Sequence, residues 1–496
     1  MERNYTVNMF SAKSSSSAVM TRRQLHHANF GFDARFTLSL PEGELYVEKI
    51  VRIIPQKRIV AFGMWQDKFV VAKLFFDSYA KRNMDKDKVG IEILREQMIP
   101  TPALLYAGVS ADRQINVLLF ERIHEGQSLA EVWRHALEME EIYPILKSVI
   151  IELATQHVLG VLQQDLHLKN FLLTEKIIYT LDGGQIKAFP PLLPKPVSMQ
   201  NLALFLSQLG VGAEKIQEKL FRHYAKLRGW LLKKEDVSEL FLLIKQHNDA
   251  RAQQFEKKIF RECSDFSKIS YATMTGMYDR QYAGPEFVKM LQDPDVLLDA
   301  RETQWLKKGR SSTVGKVTLD GREFVIKRYN MKNVWHRFRR SMRVTRAAKS
   351  WRLAQKLYLF GVPTAKPAAF IEKKWLGLRS KSYYVTEYVS GEHLAAFFAR
   401  CNDDENKIAR MIKRVMALLR NVTKLDITHG DLKITNILID ACEQPLLIDL
   451  DGAREHLSRS GLRRAWQKEM RRFLANFNEK PALQKKLHEA LARKAL

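Results

Sequence analysis

The sequence predicts an α+β fold written twice, as two tandem domains that each begin with strands and end in helices. Three observations carry this. A set of polar residues recurs at a spacing of 266 or 267 positions. Upstream of each set lies a lysine inside a β-branched and aromatic run. The 496-residue chain, 46% hydrophobic and 27% charged, has the composition of packed globular domains, with room for two to four of them.

In chain order, residues 1–35 read as a flexible polar tail with a serine run, SAKSSSSAV. The first domain is expected over 36–265 and a connector with Gly and Pro breaks over 266–299. The second domain, ending in basic helices, is expected over 300–496. No run of about 18 apolar residues suggests a membrane span. The N-terminus lacks the apolar core of a secretory leader, so export by that route is not expected. Cys263, Cys401 and Cys442 lie far apart with no CxxC spacing, which disfavours a disulfide framework or zinc site and fits a reducing cytoplasm.

The repeat is specific. QQDLHLKNFLL followed by YTLDGG carries Asp165, Asn170 and Asp182; HGDLKITNILI followed by LLIDLDGA carries Asp431, Asn436 and Asp449. In both, an Asn follows the first Asp by five, and a third polar residue, an Asp, comes 12 or 13 later. Upstream, FVVAKLFF holds Lys73 and EFVIKRYN holds Lys327; both runs read as strands. A lysine among Val, Ile and Phe is costly to bury without an anion, although an edge strand could leave its ammonium in water. The apolar stripes Leu146, Val149, Ile150, Leu153 and Ile408, Met411, Ile412, Val415 read as core helices that hold the two loops.

One chemistry uses all these residue types: phosphoryl transfer from a nucleotide, which needs positioning and charge neutralisation more than covalent help. A strand lysine neutralises phosphates, one Asp orients the attacking hydroxyl, and an Asn with another Asp holds Mg2+. The Asp-to-Asn spacing is that of protein-kinase-like folds, so the fold class sharpens to two tandem protein-kinase-like bilobal domains, each with a β-rich N-lobe and a helical C-lobe. Gly309 and Gly315, six apart and the second 12 residues before Lys327, suggest a glycine roof over the phosphates. The first copy has only Gly63 there. Glu92, 19 residues after Lys73, is the expected helix acid pairing with Lys73, with Asp87 as rival. The corresponding second helix has no acid.

These motifs resemble the bacterial lipopolysaccharide core kinases, the Kdo/heptose kinase family, over about 36–262 and 300–455. The resemblance implies ATP and Mg2+ as cofactors, Asp431 and Asp165 as catalytic bases, and Asn436, Asp449, Asn170 and Asp182 as metal ligands. Lys327 and Lys73 would be the phosphate lysines. The substrate would be an inner-core sugar or lipid-linked sugar at the cytoplasmic face of the inner membrane. Two departures stand out: Gln163 replaces the His that His429 keeps, and no Ala-Pro-Glu segment closes either copy, which points away from protein substrates.

The net charge of +26 suits an anionic partner. Nine basic residues and no acid fall between Lys332 and Lys356, with Trp335, Phe338, Met342 and Trp351 among them; Leu462, Trp466 and Met470 are spaced helically near the C-terminus. Both stretches suggest peripheral contact with an anionic membrane. No stacking module supports nucleic-acid binding. A membrane-associated pseudokinase scaffold and a protein kinase are the alternatives.

Overall fold

The computed structural model describes residues 19–136, 139–300, 303–309, 311–330, 344–375, 378–401, 404–478 and 481–492. The serine run and the basic stretch from Lys332 to Arg343, with Trp335, Phe338 and Met342, lie outside the described residues. The fold is mixed α/β and divides into two compact units: Met1–Leu202 with His223–Leu231, and Ala203–Arg222 with Leu232–Leu496. The expected boundary at 265 is thereby corrected, because the helical segments after Leu202, except His223–Leu231, pack with the second unit.

The first unit holds a six-stranded antiparallel sheet. Across it run Phe36–Leu40, Gly43–Ile54, Arg58–Trp65, Lys68–Phe75, Asn116–Glu121 and Leu104–Val109. Alternation of side chains sends Phe36, Leu38, Val47 and Ala61 to one buried face, while Phe75, Leu118 and Phe120 meet the helix Ala80–Glu96 on the other. The first face is closed in part by the short helix Arg22–His27, whose Leu25 is fully buried and whose Thr21 forms a capping box with Gln24. Within residues 19–35 of the expected tail, Leu25 and Ala28 are buried and Met20, Phe30 and Phe32 pack against the same core.

The second unit repeats the central order. Gln304–Lys308, Ser312–Leu319, Arg322–Tyr329, Leu378–Glu387 and Pro367–Trp375 are neighbours in that sequence, and the hairpin Phe266–Tyr271 and Met274–Asp279 extends the sheet to seven strands. Residues 266–299 are thus no connector. They supply two strands and the helices Pro285–Gln292 and Pro294–Leu298, whose Phe287, Met290 and Leu298 cover one sheet face with Phe324, Ile326 and Val385. Burial of this apolar surface outweighs the Gly and Pro breaks that made the segment look irregular, since Pro285 and Pro294 each sit at a helix start.

The other sheet face packs on the helix Arg346–Leu359 through Trp351, Leu353 and Leu357. This corrects part of the expected membrane surface: Trp351 is fully buried and its indole N–H donates to Ile259 O at 3.2 Å. Arg352 and Lys356 are paired with Glu455. The C-terminal helices exist, at Arg459–Ala475 and Pro481–Ala492, but Leu462, Met470, Phe473 and Leu487 are buried, and Trp466 packs against the core. Their apolar stripe faces protein. The stripes Leu146 to Leu153 and Met411 to Val415 are core, as expected. Among the described residues, no helix is long and apolar enough to cross a membrane.

Candidate functional site

Each strand lysine is central in its sheet. Lys73 lies between Val60 and Leu118, and Lys327 between Val314 and Tyr384, so neither is an edge lysine with its ammonium in water. Buried there, each must find carboxylates. Lys73 Nζ donates to Asp87 Oδ2 and to Asp182 Oδ1, both at 2.9 Å. Burial pulls the Lys73 pKa down, but the charges of Asp182 and Asp87 outweigh it and the net shift is upward. Burial pushes the Asp87 carboxyl up despite Lys73. For Asp182, burial is outweighed by Lys73 and then Arg58, and its pKa falls.

Glu92 is not the partner of Lys73. Five residues beyond Asp87 it lies about 140° further round the helix, points to solvent, and pairs with Lys88 at 3.6 Å. The helix Ala80–Glu96 is brought to the lysine by backbone contact: a Cβ on Gly90 would lie 1.9 Å from Gly183 O. Only glycine allows this approach.

In the second unit the helix Arg346–Leu359 supplies a hydroxyl in place of an acid. Lys327 Nζ sits 2.6 Å from Asp449 Oδ1 and 2.6 Å from Asp451 Oδ2. Asp451 also accepts from the Tyr329 hydroxyl and, at 3.3 Å, from Ser350 Oγ of that helix. Asp451 thus supplies the second carboxylate that Asp87 supplies in the first unit. Burial raises the Asp449 carboxyl, but Lys327, with the charges of His429 and Lys307 behind it, outweighs burial and the net shift is downward.

The loops that carry the remaining residues are built alike. Val161–Gln163 leads to Asp165, a 3-10 turn Leu168–Asn170 and two short strands, then Asp182, a 3-10 turn Gly183–Gln185, and Ile186–Ala188 paired back onto Val161–Gln163. Ile427–Thr428 leads through Asp431, Ile434–Asn436, two strands, Asp449 and Leu450–Gly452 to Arg454–Glu455, paired back onto Ile427–Thr428. Asn170 Nδ2 donates to Asp165 O at 2.7 Å, and Asn436 Nδ2 to Asp431 O at 2.8 Å. Leu181 N–H donates to Asn170 O at 2.8 Å, and Ile448 N–H to Asn436 O at 3.0 Å. Asp182 and Asp449 both adopt the left-handed region, at φ 66° and 58°. That conformation is strained for a non-glycine residue and is held where surrounding structure dictates it.

His429 is buried, which holds its pKa below the usual value, and its Nε2 donates to Ile448 O at 2.9 Å. Gln163 stands at the equivalent position in the first unit: its side-chain Nε2 donates to Gln156 Oε1 at 2.7 Å, and its backbone carbonyl accepts from Asn201 Nδ2 at 2.8 Å. Two residues beyond each first Asp, a side-chain nitrogen meets that carboxylate: Lys433 Nζ is 2.9 Å from Asp431 Oδ2, and His167 Nε2 is 2.8 Å from Asp165 Oδ1.

Of the two glycines expected to roof the phosphates, Gly309 lies at the tip of the hairpin formed by Gln304–Lys308 and Ser312–Leu319, and Gly315 lies within its second strand. The Gly309 N–H donates to Ser312 O at 3.1 Å within its own hairpin. Gly315 follows Val314, the partner of Lys327, so pleating turns it to the opposite face; a Cβ there would meet Thr303 Cγ2 at 2.7 Å and Leu298 Cδ2 at 3.0 Å. In the first unit a hairpin tip without glycine helps line a cavity of about 310 Å³ through Arg52, Lys57 and Arg58, opposite Asp87, Asp165 and Asp182. That basic tip went unremarked in sequence, though Lys57-Arg58 beside Pro55 was its visible signal.

Asp431 borders a separate cavity of about 680 Å³ with Lys433, Arg454, His456, Lys468 and Arg472 on its walls. Glu469 accepts the His429 N–H at 3.1 Å and the Gly430 N–H, fixing the loop from below. Burial raises its carboxyl pKa. Glu469 was missed in sequence because it lies among basic residues of a helix read as a lipid surface.

Among the described residues, the side chains that meet each lysine offer carboxylate oxygens, Asp87 and Asp182 in the first unit and Asp449 and Asp451 in the second. Asn436 spends its N–H on Asp431 O and keeps its amide oxygen, and Asp449 keeps one carboxylate oxygen beyond the Lys327 contact. Such a hard-oxygen set fits Mg2+.

No curated protein matches the chain. A family model does match, that of the lipopolysaccharide kinase (Kdo/WaaP) family, over residues 298–493. The match takes in Lys327, Asp431, Asn436 and Asp449 and leaves residues 36–262 outside it, so the similarity to that kinase family is one of the second segment of the chain.

Proposed function

We propose that the chain is an ATP-dependent kinase that phosphorylates a hydroxyl of a lipopolysaccharide inner-core sugar, heptose or Kdo, with the second unit carrying the chemistry. The observation that carries this is the joining of Lys327 to Asp449 and Asp451 beside an Asp431–Asn436 loop, inside the segment that a kinase-family model matches. Asp431 would accept the proton of the attacking hydroxyl, with Lys433 restraining its carboxylate. Lys327 would meet the nucleotide phosphates in place of its carboxylate partners. Asn436 and Asp449 would hold Mg2+, which when bound neutralises phosphate oxygens. The cationic cavity beside Asp431 suits an acidic or phosphorylated acceptor and disfavours a neutral one. With a lipid-linked acceptor, the reaction would take place on the inner membrane's cytoplasmic surface, the enzyme being peripheral there.

We read the first unit as a second kinase fold. The same central strand order, paired lysine, Asp–Asn loop and left-handed Asp support this. Its basic hairpin tip favours a second reading, in which it binds anionic ligands and turns over slowly.

The test is phosphate transfer from labelled ATP with Mg2+ to lipopolysaccharide lacking core phosphate. Asp431→Ala is expected to lower the rate by about 100-fold or more, and Asp165→Ala far less. Equal rates for wild type and both variants, and for the double variant, would remove the enzymatic reading.

A further inference from the structure

The stretches expected to meet lipid turn their described apolar residues into the protein, so the lipid contact must be sought elsewhere. One exposed apolar element stands out in the first unit. The loop after Ile186–Ala188 reads Phe189-Pro190-Pro191-Leu192, and Phe189 and Leu192 are 44% and 61% exposed. The turn after the helix Glu214–Leu227 adds Leu231, 93% exposed. The two are tied together: Arg228 Nη2 donates to Leu193 O at 2.8 Å, and Lys195 Nζ lies 5.5 Å from the Trp230 ring.

Leu192 is disfavoured twice over. Its φ is +63°, a conformation that suits glycine, and its side chain is in water. Glycine would relieve both costs, and a contact made by the leucine side chain outside the chain would offset them. The loop is also pinned in place. Phe189 N–H donates to Gly160 O at 2.9 Å, Leu192 N–H to Val158 O at 3.1 Å, and Leu193 N–H to His157 O at 2.9 Å. A rigid loop loses little entropy when its apolar tips are buried.

The surroundings select the partner. From Gly183 to Leu202 and from His223 to Leu231 there is no acid, while Lys187, Lys195, Lys226 and Arg228 are present. Apolar tips within a collar of cations match a bilayer with anionic headgroups, where the tips enter the acyl boundary and the cations stay among phosphates. The position is apt as well. Asp165 and Asp182 leave one end of the Val161–Gln163 ladder and the loop leaves the other, about 10 Å of strand away.

We infer that Phe189, Leu192 and Leu231, collared by Lys187 and Lys195, form a docking element that inserts the first unit into an anionic bilayer. This deepens the proposed membrane-surface kinase and rests on that reading only in choosing lipid as the occupant.

The experiment is flotation of the full chain with vesicles of phosphatidylethanolamine and phosphatidylglycerol, against phosphatidylcholine alone. Wild type is expected to float with the anionic vesicles and to be released by salt. Leu192→Gly, which relieves the backbone, and Phe189→Ser are each expected to bind about tenfold more weakly, with unchanged circular dichroism. Vesicle binding equal to wild type in both folded variants overturns the proposal. So does absence of wild-type binding, or a self-associated species that the variants dissociate, which would make a second copy the occupant. Phosphate transfer to a detergent-solubilised acceptor separates the two readings: loss of vesicle binding with transfer intact supports the docking element. No transfer by any form, with the vesicle difference still present, removes the kinase reading alone.

Discussion

Two carboxylates meet each strand lysine, and they reach it by different routes. In the first unit one comes from the helix and one from the left-handed Asp182; in the second both come from the turn Asp449-Leu450-Asp451. Asp87→Asn removes one of the two anions from a buried ammonium and is expected to cost about 1–3 kcal/mol in urea unfolding of the first unit. Glu92→Gln, a change on an exposed pair, is expected to stay within about 0.5 kcal/mol. Comparable losses for the two would refute the pairing drawn here. The choice between Asp87 and Glu92 depends on which face of the helix meets the sheet, and the Gly90 contact with Gly183 sets that face.

The helix Met139–Val158 ends in a buried His157 that lies 2.6 Å from the Tyr224 hydroxyl and 3.0 Å from Asn201 Oδ1. Burial lowers its pKa to about 4. The unfolded chain, with a histidine near its ordinary value, then binds more protons between about 4 and 6.5. Stability of the first unit is therefore expected to fall as pH drops from 6.5 to about 4, by about 3 kcal/mol. A urea series over that range checks it, and His157→Gln should flatten the profile; a wild-type midpoint flat over this range would contradict the assignment. The same helix ends beside the docking loop, since His157 O and Val158 O accept its N–H groups.

At the scale of the whole molecule, the chain's two compact units do not divide where composition shifts. Residues 266–299 complete the second sheet and cover its face, with Phe266, Phe287, Met290 and Leu298 all buried. At about 1.5–3 kcal/mol for each large apolar side chain, their removal costs an amount comparable with a typical domain's whole stability. A fragment of residues 300–496 is accordingly expected to lack cooperative unfolding, whereas a fragment of 232–496 retains these elements and should regain it at least in part. Calorimetry of the two decides; a cooperative transition in the shorter one would show that 266–299 is dispensable.

The local repeat was legible in the residues themselves. Asp165, Asn170 and Asp182, their counterparts Asp431, Asn436 and Asp449, and the two strand lysines are chemically unusual for their surroundings, and their spacing along the chain is preserved whatever the fold does around them. The core stripes were legible for the same reason, since helical periodicity is a local property. Partner choice was not. Whether Asp87 or Glu92, or Asp451 or a helix acid, meets a lysine depends on the rotation of one element against another. Whether Trp351 and Met470 face lipid or protein depends on what lies opposite them. Amphipathic periodicity reveals that a face will be buried; only the tertiary packing decides against what.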